Sequence, residues 1–599
     1  MRLSNALLAL TACKASKVVA GEEQVPFTDR TNTEHVDAPL NVAIIGAGAA
    51  GSSSAYHLAQ FAQEADLSIN ITIFDRNPYI GGRSTTVNVY DDPTEPVELG
   101  ASIFVETNQI LLNATRDFNL STTDDDDDDD NSSSTPGAAL AIWDGNTLLY
   151  QQTTTKTWWE NAKLIWKYGL LSPLRTHSLQ KSTITSFLHL YTSPHFPFLS
   201  LTHAVEQVGL LPAVTNVSGE EYLQTHGVGK KFAREVVQAA TRVNYAQNLR
   251  WIHGVEAMVC LAAEGAMAVK GGNWRVFDAM VEDAGAGRML GTEVVGVEEG
   301  RGKGGGRGYT VSFCDVGAPV ESGEDSSSSP SEVDEIEESD SAQIQPQRQQ
   351  HQTQDFDTII LAAPYQSLNL TLHPSSLLTH TPSPIPYVHL HVTLFTSPHL
   401  LSPTFFNLSP NNPAPKTILT TLPPHEEPGQ GSASCGSPGF FSISLIRSLR
   451  NPETGREEYL YKIFSPERVS WEFLARILGV GEGEGRLDDD DEEDEDEEVL
   501  NQGHITWLYR KLWYSYPYET PRDVFEPIRL SSGGSSGKEE GGGGGGGGGI
   551  WYTGGMESFI STMETNALMG RNVARLVVDE WVADLERDGG LSFGGWEGK

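Results

Sequence analysis

Cysteine is nearly absent, with four residues in 599. Cys13, Cys260, Cys314 and Cys435 show no paired spacing of the kind a zinc ribbon or thiolate cluster requires, so no metal site is expected. Cys13 falls in a leader-like segment, and the remaining three are odd in number, so no disulfide framework follows from them. No apolar run reaches eighteen residues, so no segment is long enough to cross a bilayer as a helix. Basic residues are few, 41 against 80 acidic ones, giving a formal net charge of −39. That balance disfavours a phosphate-backbone partner, and no nucleic acid is expected. A Ser/His/Asp or metal-ligand constellation is also missing. His253 and His504 stand isolated and read as structural residues, no catalytic side chain is named by pattern, and no internal repeat is visible.

The apolar content of 38% is low for this length, but the deficit is local. Seven aspartates at 124–130, eleven consecutive acids at 488–498 and nine acids without a base between Glu321 and Asp340 hold most of the net charge. Such runs self-repel and stay solvated, so they read as surface inserts. Nine glycines at 541–549 form a further tract. The N-terminus, with an early Arg2, a short apolar stretch and small residues up to Ala20, resembles a secretory signal peptide. Seven N-x-S/T sequons, at Asn70, Asn113, Asn119, Asn131, Asn216, Asn369 and Asn407, fit that route. The secretory pathway is therefore the expected location, in a vacuole or lysosome or outside the cell.

The chemistry is concentrated at residues 42–83. After the apolar run "NVAIIG", Gly46, Gly48 and Gly51 satisfy G-x-G-x-x-G. The first glycine permits a tight turn, the second lets the backbone approach a pyrophosphate, and the third lets the following helix pack on the strand. The helix N-terminus then offers unpaired N–H groups to phosphate. Asp75 ends a second strand, "INITIFD", where a carboxylate can accept ribose hydroxyls. This order of strand, glycines, helix, strand and acid predicts a dinucleotide-binding domain.

The text that follows, "DRNPYIGGRSTT", resembles the extended motif of the flavin amine-oxidase superfamily. That likeness implies a retained flavin, FAD, held by Asp75, Arg76, Gly81, Gly82 and Arg83. "GTEVVGVE" has the form of the strand that gives a backbone contact to adenine from Val294. "TGGMESFISTMETNA" implies that Gly554, Gly555 and Met556 open a helix facing the flavin, with Met563 left to the core. More narrowly, "IWKYGLLSP", "RVNYAQN", "GGNW", "LWYSYPYETP" and "GGMESFISTMETNA" resemble, in order, the prenylcysteine oxidase family. The resemblance spans most of Leu40 to about Leu576, and the acidic and glycine tracts depart from it.

That resemblance implies oxidation of a farnesyl- or geranylgeranyl-cysteine thioether with O2 and water, yielding a prenyl aldehyde, cysteine and hydrogen peroxide. Arg242, Asn244 and Tyr245 are then candidates for the substrate end nearest the flavin. The segment from Trp158 to Leu174 and the strands between Ser367 and Tyr518 would build an apolar pocket, and the aromatic-basic run Thr157–Arg175 could rest on a membrane surface. Two alternatives stay open. One is an amine or polyamine oxidase, for which Trp551 and Tyr552 could supply an aromatic pair; the other is a non-catalytic FAD-binding scaffold.

The expected fold is α/β, with a discontinuous Rossmann-like FAD-binding domain and an α+β substrate domain carrying an antiparallel sheet. A signal peptide covers 1–20. The FAD domain takes 40–120, 236–315, the strand 355–365 and 550–580. The substrate domain takes a helical part, 138–235, and a second part, 366–530. Inserts fall at 121–137, 318–354, 477–498 and 531–549.

Overall fold

The computed structural model describes residues 39–123, 138–152, 164–301, 307–316, 351–480, 503–531 and 548–587. The leader, the aspartate run, the first part of the aromatic-basic run up to residue 163, the 488–498 tract, nearly all of the 318–354 insert, the glycine tract up to Gly547 and Asn131 lie outside the described residues.

A five-stranded, all-parallel sheet is assembled from widely separated pieces of chain. Its order is Ile550–Tyr552, Thr358–Leu361, Leu40–Ile45, Ile69–Asp75 and Gly287–Leu290. The central strand is apolar and buried from Val42 to Ile45 because both of its faces are covered there, as a parallel sheet requires. Val42 and Ile44 point into one core while Ala43 and Ile45 point into another, the two-residue period of a strand. On the first face lie the helices Ala49–Glu64, Trp274–Asp283 and Met563–Arg587. On the second lies a four-stranded sheet ordered Gln352–Phe356, Arg307–Asp315, Thr292–Arg301, Thr371–His373. The discontinuous nucleotide domain is thus as expected, and "FDTIILAAP" does return to its sheet.

The second layer is a seven-stranded sheet ordered Trp507–Pro517, Tyr387–Ser397, Glu457–Ser465, Ser442–Arg450, Thr417–Thr420, Leu140–Trp143, Leu148–Gln152. It is antiparallel except where Thr417–Thr420 meets Leu140–Trp143. The part expected to be helical, 138–235, therefore opens with two strands. Ala141, Ile142 and Trp143 are buried in the sheet. Three short apolar residues give no helical period, so the pattern alone could not place them.

The helix Met563–Arg587 docks on Ala49–Glu64 through small residues. Ser53 Oγ donates to the Ala567 carbonyl at 2.6 Å, and Ser54 Oγ reaches the Gly570 carbonyl at 3.4 Å. A Cβ on Gly570 would lie 2.2 Å from the Ala50 carbonyl oxygen, so glycine is required by backbone approach. Because this seam holds the C-terminal helix against the cofactor loop, Gly570→Val is expected to destabilise the protein by about 1–3 kcal/mol. A chemical-denaturation midpoint lower than that of the unsubstituted chain is the check.

Candidate active site

One continuous cavity of about 1140 Å³ runs between the two layers. It exceeds the ~300–1,000 Å³ typical of a pocket for one small ligand, which leaves room for a dinucleotide and a second molecule. Its floor is the end of the parallel sheet, where open α/β folds bind ligands.

Gly46, Gly48, Asp75, Arg76, Gly81, Gly82, Arg83 and Val294 all line this cavity. The two glycine loops abut: Gly48 and Gly81 form a bridge, and the Gly81 N–H donates to the Ala47 carbonyl at 2.9 Å. The three motif glycines differ in purpose. A Cβ on Gly51 would sit 1.8 Å from the Gly46 oxygen, so that position serves packing alone. A Cβ on Gly48 would meet nothing nearer than Gly82 Cα at 4.0 Å, so its bareness serves the cavity. Asp75 accepts the Ala47 and Asn77 N–H groups, each at 2.8 Å, and these fix the loop while leaving acceptor capacity. At Val294 a bulge separates the register of Val294 from Gly296, which frees backbone at the cavity wall. A pyrophosphate-sized gap at Gly48, a helix N-terminus without acid in its first turn and a strand-end carboxylate together fit a dinucleotide.

At the other end of the cavity the walls divide by chemistry. One lobe lies among helices and is lined by Leu111, Ile184, Phe187, Leu188, Val243 and Val259. Five residues of π-helix, Ala233–Val237, precede the helix Gln238–Tyr245 that forms part of it. Asn244 and Tyr245 line this lobe, and Arg242 does not. Arg242 is completely buried, with its guanidinium donating to Thr420 Oγ1, Asn248 Oδ1 and the carbonyls of Ser434 and Cys435. It ties the helix to the seven-stranded sheet, and Val243 occupies the wall instead. Burial pulls Arg242 down to about 10.

The other lobe is floored by the seven-stranded sheet and is polar: Ser442, Ser444, Thr417, Lys462 and Lys511 line it. Lys462 Nζ donates to the Glu98 carbonyl and to Ser102 Oγ, both at 2.9 Å. Burial pushes Lys462 down to about 8 and Glu98 up to about 7.

The C-terminal motif corrects the expectation most. Gly554 and Gly555 open a single 3-10 turn, Gly554–Ser558, and not a helix. Gly554, Gly555 and Met556 are buried in the core and absent from the cavity wall. The helix begins at Met563, and Ser561, Thr562, Met563 and Asn566 line the cavity. Met563, expected in the core, and Met556 thus exchange places. Glu564 is turned sideways and accepts the Ile110 and Leu111 N–H groups at 2.9 and 3.0 Å and the Tyr191 hydroxyl at 2.9 Å. Burial still raises it to about 7.

Sequence reasoning also missed Glu557. Its carboxylate pairs with Arg83 and accepts the Tyr387 hydroxyl at 3.1 Å and Ser561 Oγ at 3.0 Å. Trp551 and Tyr552 stand in the parallel sheet, buried in its two opposite cores. The aromatic pair that does face the cavity is Tyr245 with Tyr516, ring centroids 5.5 Å apart. His253 and His504 are not isolated either: His253 approaches Glu519, and His504 Nδ1 lies 3.1 Å from His399 Nε2. The three cysteines beyond residue 13 form no disulfide and are buried.

Among known proteins, residues 44–117 match the family described as NAD(P)-binding Rossmann-like domain. Prenylcysteine oxidase 1 of Bos taurus is 24% identical over 91% of this chain and 89% of its own length. Farnesylcysteine lyase of Arabidopsis thaliana is 22% identical over 92% and 91%. Among solved structures, a cyclohexylamine oxidase from Brevibacterium oxydans superposes with a TM-score of 0.47 at 12% identity, covering 91% of this chain and 99% of its own. Residues 151–588 match the family described as Prenylcysteine lyase, and the chain belongs to that family.

Proposed function

We propose that this chain is an FAD-dependent prenylcysteine oxidase. It cleaves a farnesyl- or geranylgeranyl-cysteine thioether with O2 and water to a prenyl aldehyde, cysteine and hydrogen peroxide. The observation that carries the reading is the single cavity with three chemically distinct ends: glycine loops, an apolar helical lobe and a polar sheet lobe. Full-length likeness to a prenylcysteine oxidase and a farnesylcysteine lyase supports it.

FAD would lie along Gly46, Gly48, Gly81, Gly82 and Arg83, with Asp75 at the ribose, Arg76 nearby and Val294 backbone at the adenine. Bound there, it supplies a two-electron oxidation and passes the electrons to O2. The carbon to be oxidised lies between sulfur and a double bond, so positive charge on it is delocalised. The protein's task is then mostly alignment. Leu111, Ile184, Phe187 and Val259 take the isoprenoid chain, while Tyr245 and Tyr516 hold the sulfur-bearing carbon and exclude bulk water. Lys462 and Lys511 offer cations to the cysteine carboxylate.

Delivery from a membrane surface fits one exposed patch. Trp166 is 91% exposed and Leu171 59%, beside exposed Leu170 and Leu174. Exposed Arg175, Lys230 and Lys231 lie alongside: Arg175 bonds the Gly227 carbonyl, and Ser172 Oγ accepts the Gly229 N–H. The same helix, Leu171–Leu188, carries Ile184 and Phe187 into the cavity. Passage through the secretory pathway is supported by the leader pattern and by the exposure of all six described sequon asparagines.

Farnesylcysteine is expected to bleach the yellow protein anaerobically and, in air, to yield aldehyde and thiol in equal amounts. Bleaching by spermine or monoamines alone would overturn the reading, and bleaching by neither class would favour the scaffold. Gly48→Val is expected to melt as the unsubstituted chain does but to purify colourless, whereas Gly51→Val should lose both fold and colour. Trp166→Ser with Leu171→Ser should weaken sedimentation with anionic vesicles severalfold and leave turnover of soluble farnesylcysteine unchanged.

A further inference from the structure

Behind the helical lobe, three ionisable side chains share a region from which water is excluded. His253, Glu256 and Glu519 are each 0% exposed. His253 Nδ1 accepts the Glu256 backbone N–H at 3.1 Å and so caps the helix Gly254–Val259. The hydrogen bond assigns the ring proton to Nε2, and Nε2 approaches Glu519 Oε2 at 3.5 Å. Backbone bonds fix the group rigidly: the His253 N–H donates to the Glu519 carbonyl at 2.7 Å, and the Glu519 N–H donates to Gln247 Oε1 at 3.0 Å. Yet no oxygen of either carboxylate, nor His253 Nε2, has a partner at ordinary hydrogen-bond geometry; only the Tyr245 hydroxyl bears on Glu256 and the Phe559 backbone on His253.

Two ionised carboxylates are not tolerated in such a place, because each costs several kcal/mol to desolvate and the two repel. The surrounding groups do not relieve them. Tyr245 and Cys260 face Glu256, Arg522 lies nearest Glu519, and the Arg83–Glu557 pair acts on Glu519 with opposing signs. Desolvation raises Glu256 to about 8 and Glu519 well above the ordinary range, and lowers His253 to about 3. The imidazole is therefore neutral, and the carboxyl pair holds protons at neutral pH.

Tyr245 joins this group to the cavity. Its ring lies against Tyr516 on the cavity wall, and its hydroxyl reaches the Ser561 carbonyl at 3.3 Å on one side and faces Glu256 on the other. We propose that Glu256 and Glu519 form a proton store for the oxidation in the adjoining cavity, exchanging with it through the Tyr245 hydroxyl. The proposal rests on the prenylcysteine reading.

The balance is as follows. The C–H bond of the sulfur-bearing carbon breaks, and a flavin held in the cavity would take its hydrogen and both electrons. A carbon–oxygen bond forms to water, whose O–H bond breaks; that proton goes to the Tyr245 oxygen as the tyrosine's own proton passes to Glu256 in its ionised form, the fraction of which grows as pH rises towards about 8. The C–S bond then breaks, and sulfur takes the remaining hydroxyl proton, giving thiol and aldehyde. The stored proton returns when O2 becomes hydrogen peroxide, which needs it in addition to the hydrogen taken from carbon. Glu256 and Glu519 are positioning residues that act through Tyr245.

The test uses holoenzyme and two readouts. In the absence of substrate, the infrared C=O band of a protonated carboxylic acid should titrate towards about 8 and be diminished in Glu256→Gln. With farnesylcysteine, thiol release in the unsubstituted enzyme should rise with pH towards the same value. In Glu256→Gln and Tyr245→Phe the lag between flavin bleaching and thiol release should lengthen about a hundredfold, and the rising limb should flatten. Lys462 and Glu98 titrate in a similar range across the cavity, so the limb is assigned by its loss in these variants. Should Glu256→Gln fail to fold, Tyr245→Phe and the infrared titration carry the test. Unaltered lag and pH profile in the variants, or no titrating band in the unsubstituted protein, would overturn the proposal. Absence of bleaching in the unsubstituted enzyme would instead remove the prenylcysteine reading, with the infrared titration still deciding the store.

Discussion

The ion pair between Arg83 and Glu557 joins positions 474 residues apart at the cavity wall and ties the second glycine loop to the turn before the C-terminal helix. Tyr387 and Ser561 reach the same carboxylate, and the Ser515 carbonyl accepts from Arg83 at 2.8 Å. Four segments from both layers thus meet at one buried charge. A buried pair gains little net stability over an apolar contact, since desolvation offsets attraction. Its effect here is geometric: a carboxylate with one guanidinium and two hydroxyl donors has one arrangement, and the loop, strands and helix are held to it.

This dependence explains which parts of the site were legible. The glycine loop could be read because its logic is local: strand, turn and helix follow within thirty residues. The parallel strands "NVAIIG" and "FDTIIL" declared themselves by unbroken apolar runs. Gly554–Gly555 misled because a Gly-Gly pair before a helical pattern looks like a helix start. The structure spends those glycines on a tight turn that delivers Glu557 and lets the helix begin at Met563. Arg242 misled in a similar way. A charged residue beside Asn244 and Tyr245 looks like one site, but its guanidinium is taken up by Asn248 and by Thr420, Ser434 and Cys435, which are distant in sequence. His253 looked isolated because Glu519, 266 positions on, cannot be seen from it. Helical composition hid the strands at Leu140–Trp143 and Leu148–Gln152 for the same reason, since their pairing is with Thr417–Thr420.

The two lobes of the cavity have different structural origins, and that matches what a lipidated amino acid demands. Helices can close around an isoprenoid chain because their facing side chains are free to be uniformly apolar. A strand alternates, so the face it turns to the cavity can carry Ser442, Ser444 and Lys462 while the opposite face builds a core. Lys462 bonded to the Glu98 carbonyl and Ser102 is held by the strand-loop segment that follows the second glycine loop. The polar end is therefore tied to the cofactor end, and the position of a carboxylate fixes the reacting carbon. Distance along the substrate is thereby converted into alignment, which is the main lever for a reaction whose charge is already delocalised.

Buried carboxyls in this protein fall into two groups, and the contrast bears on mechanism. Glu557 and Glu564 are surrounded by donors: a guanidinium and two hydroxyls for one, two backbone N–H groups and a hydroxyl for the other. Their role is to hold segments together, and each has what a carboxylate needs for that. Glu256 and Glu519 are equally buried but lack such a set of donors: the Tyr245 hydroxyl facing Glu256 stands alone, and neither carboxylate has a partner at ordinary hydrogen-bond geometry. A purely structural acid gains nothing from this arrangement, because an amide or apolar side chain would pack there without the penalty. Stability carries the cost in a definite direction. For Glu256 the folded value of about 8 lies above the ordinary 4.5, so the folded state keeps a proton that the unfolded state has lost. Stability therefore falls as pH rises through that window and levels off above it. A cost of that kind, placed one tyrosine away from a cavity that must release and recover a proton in each cycle, is the pattern of a group kept for its titration.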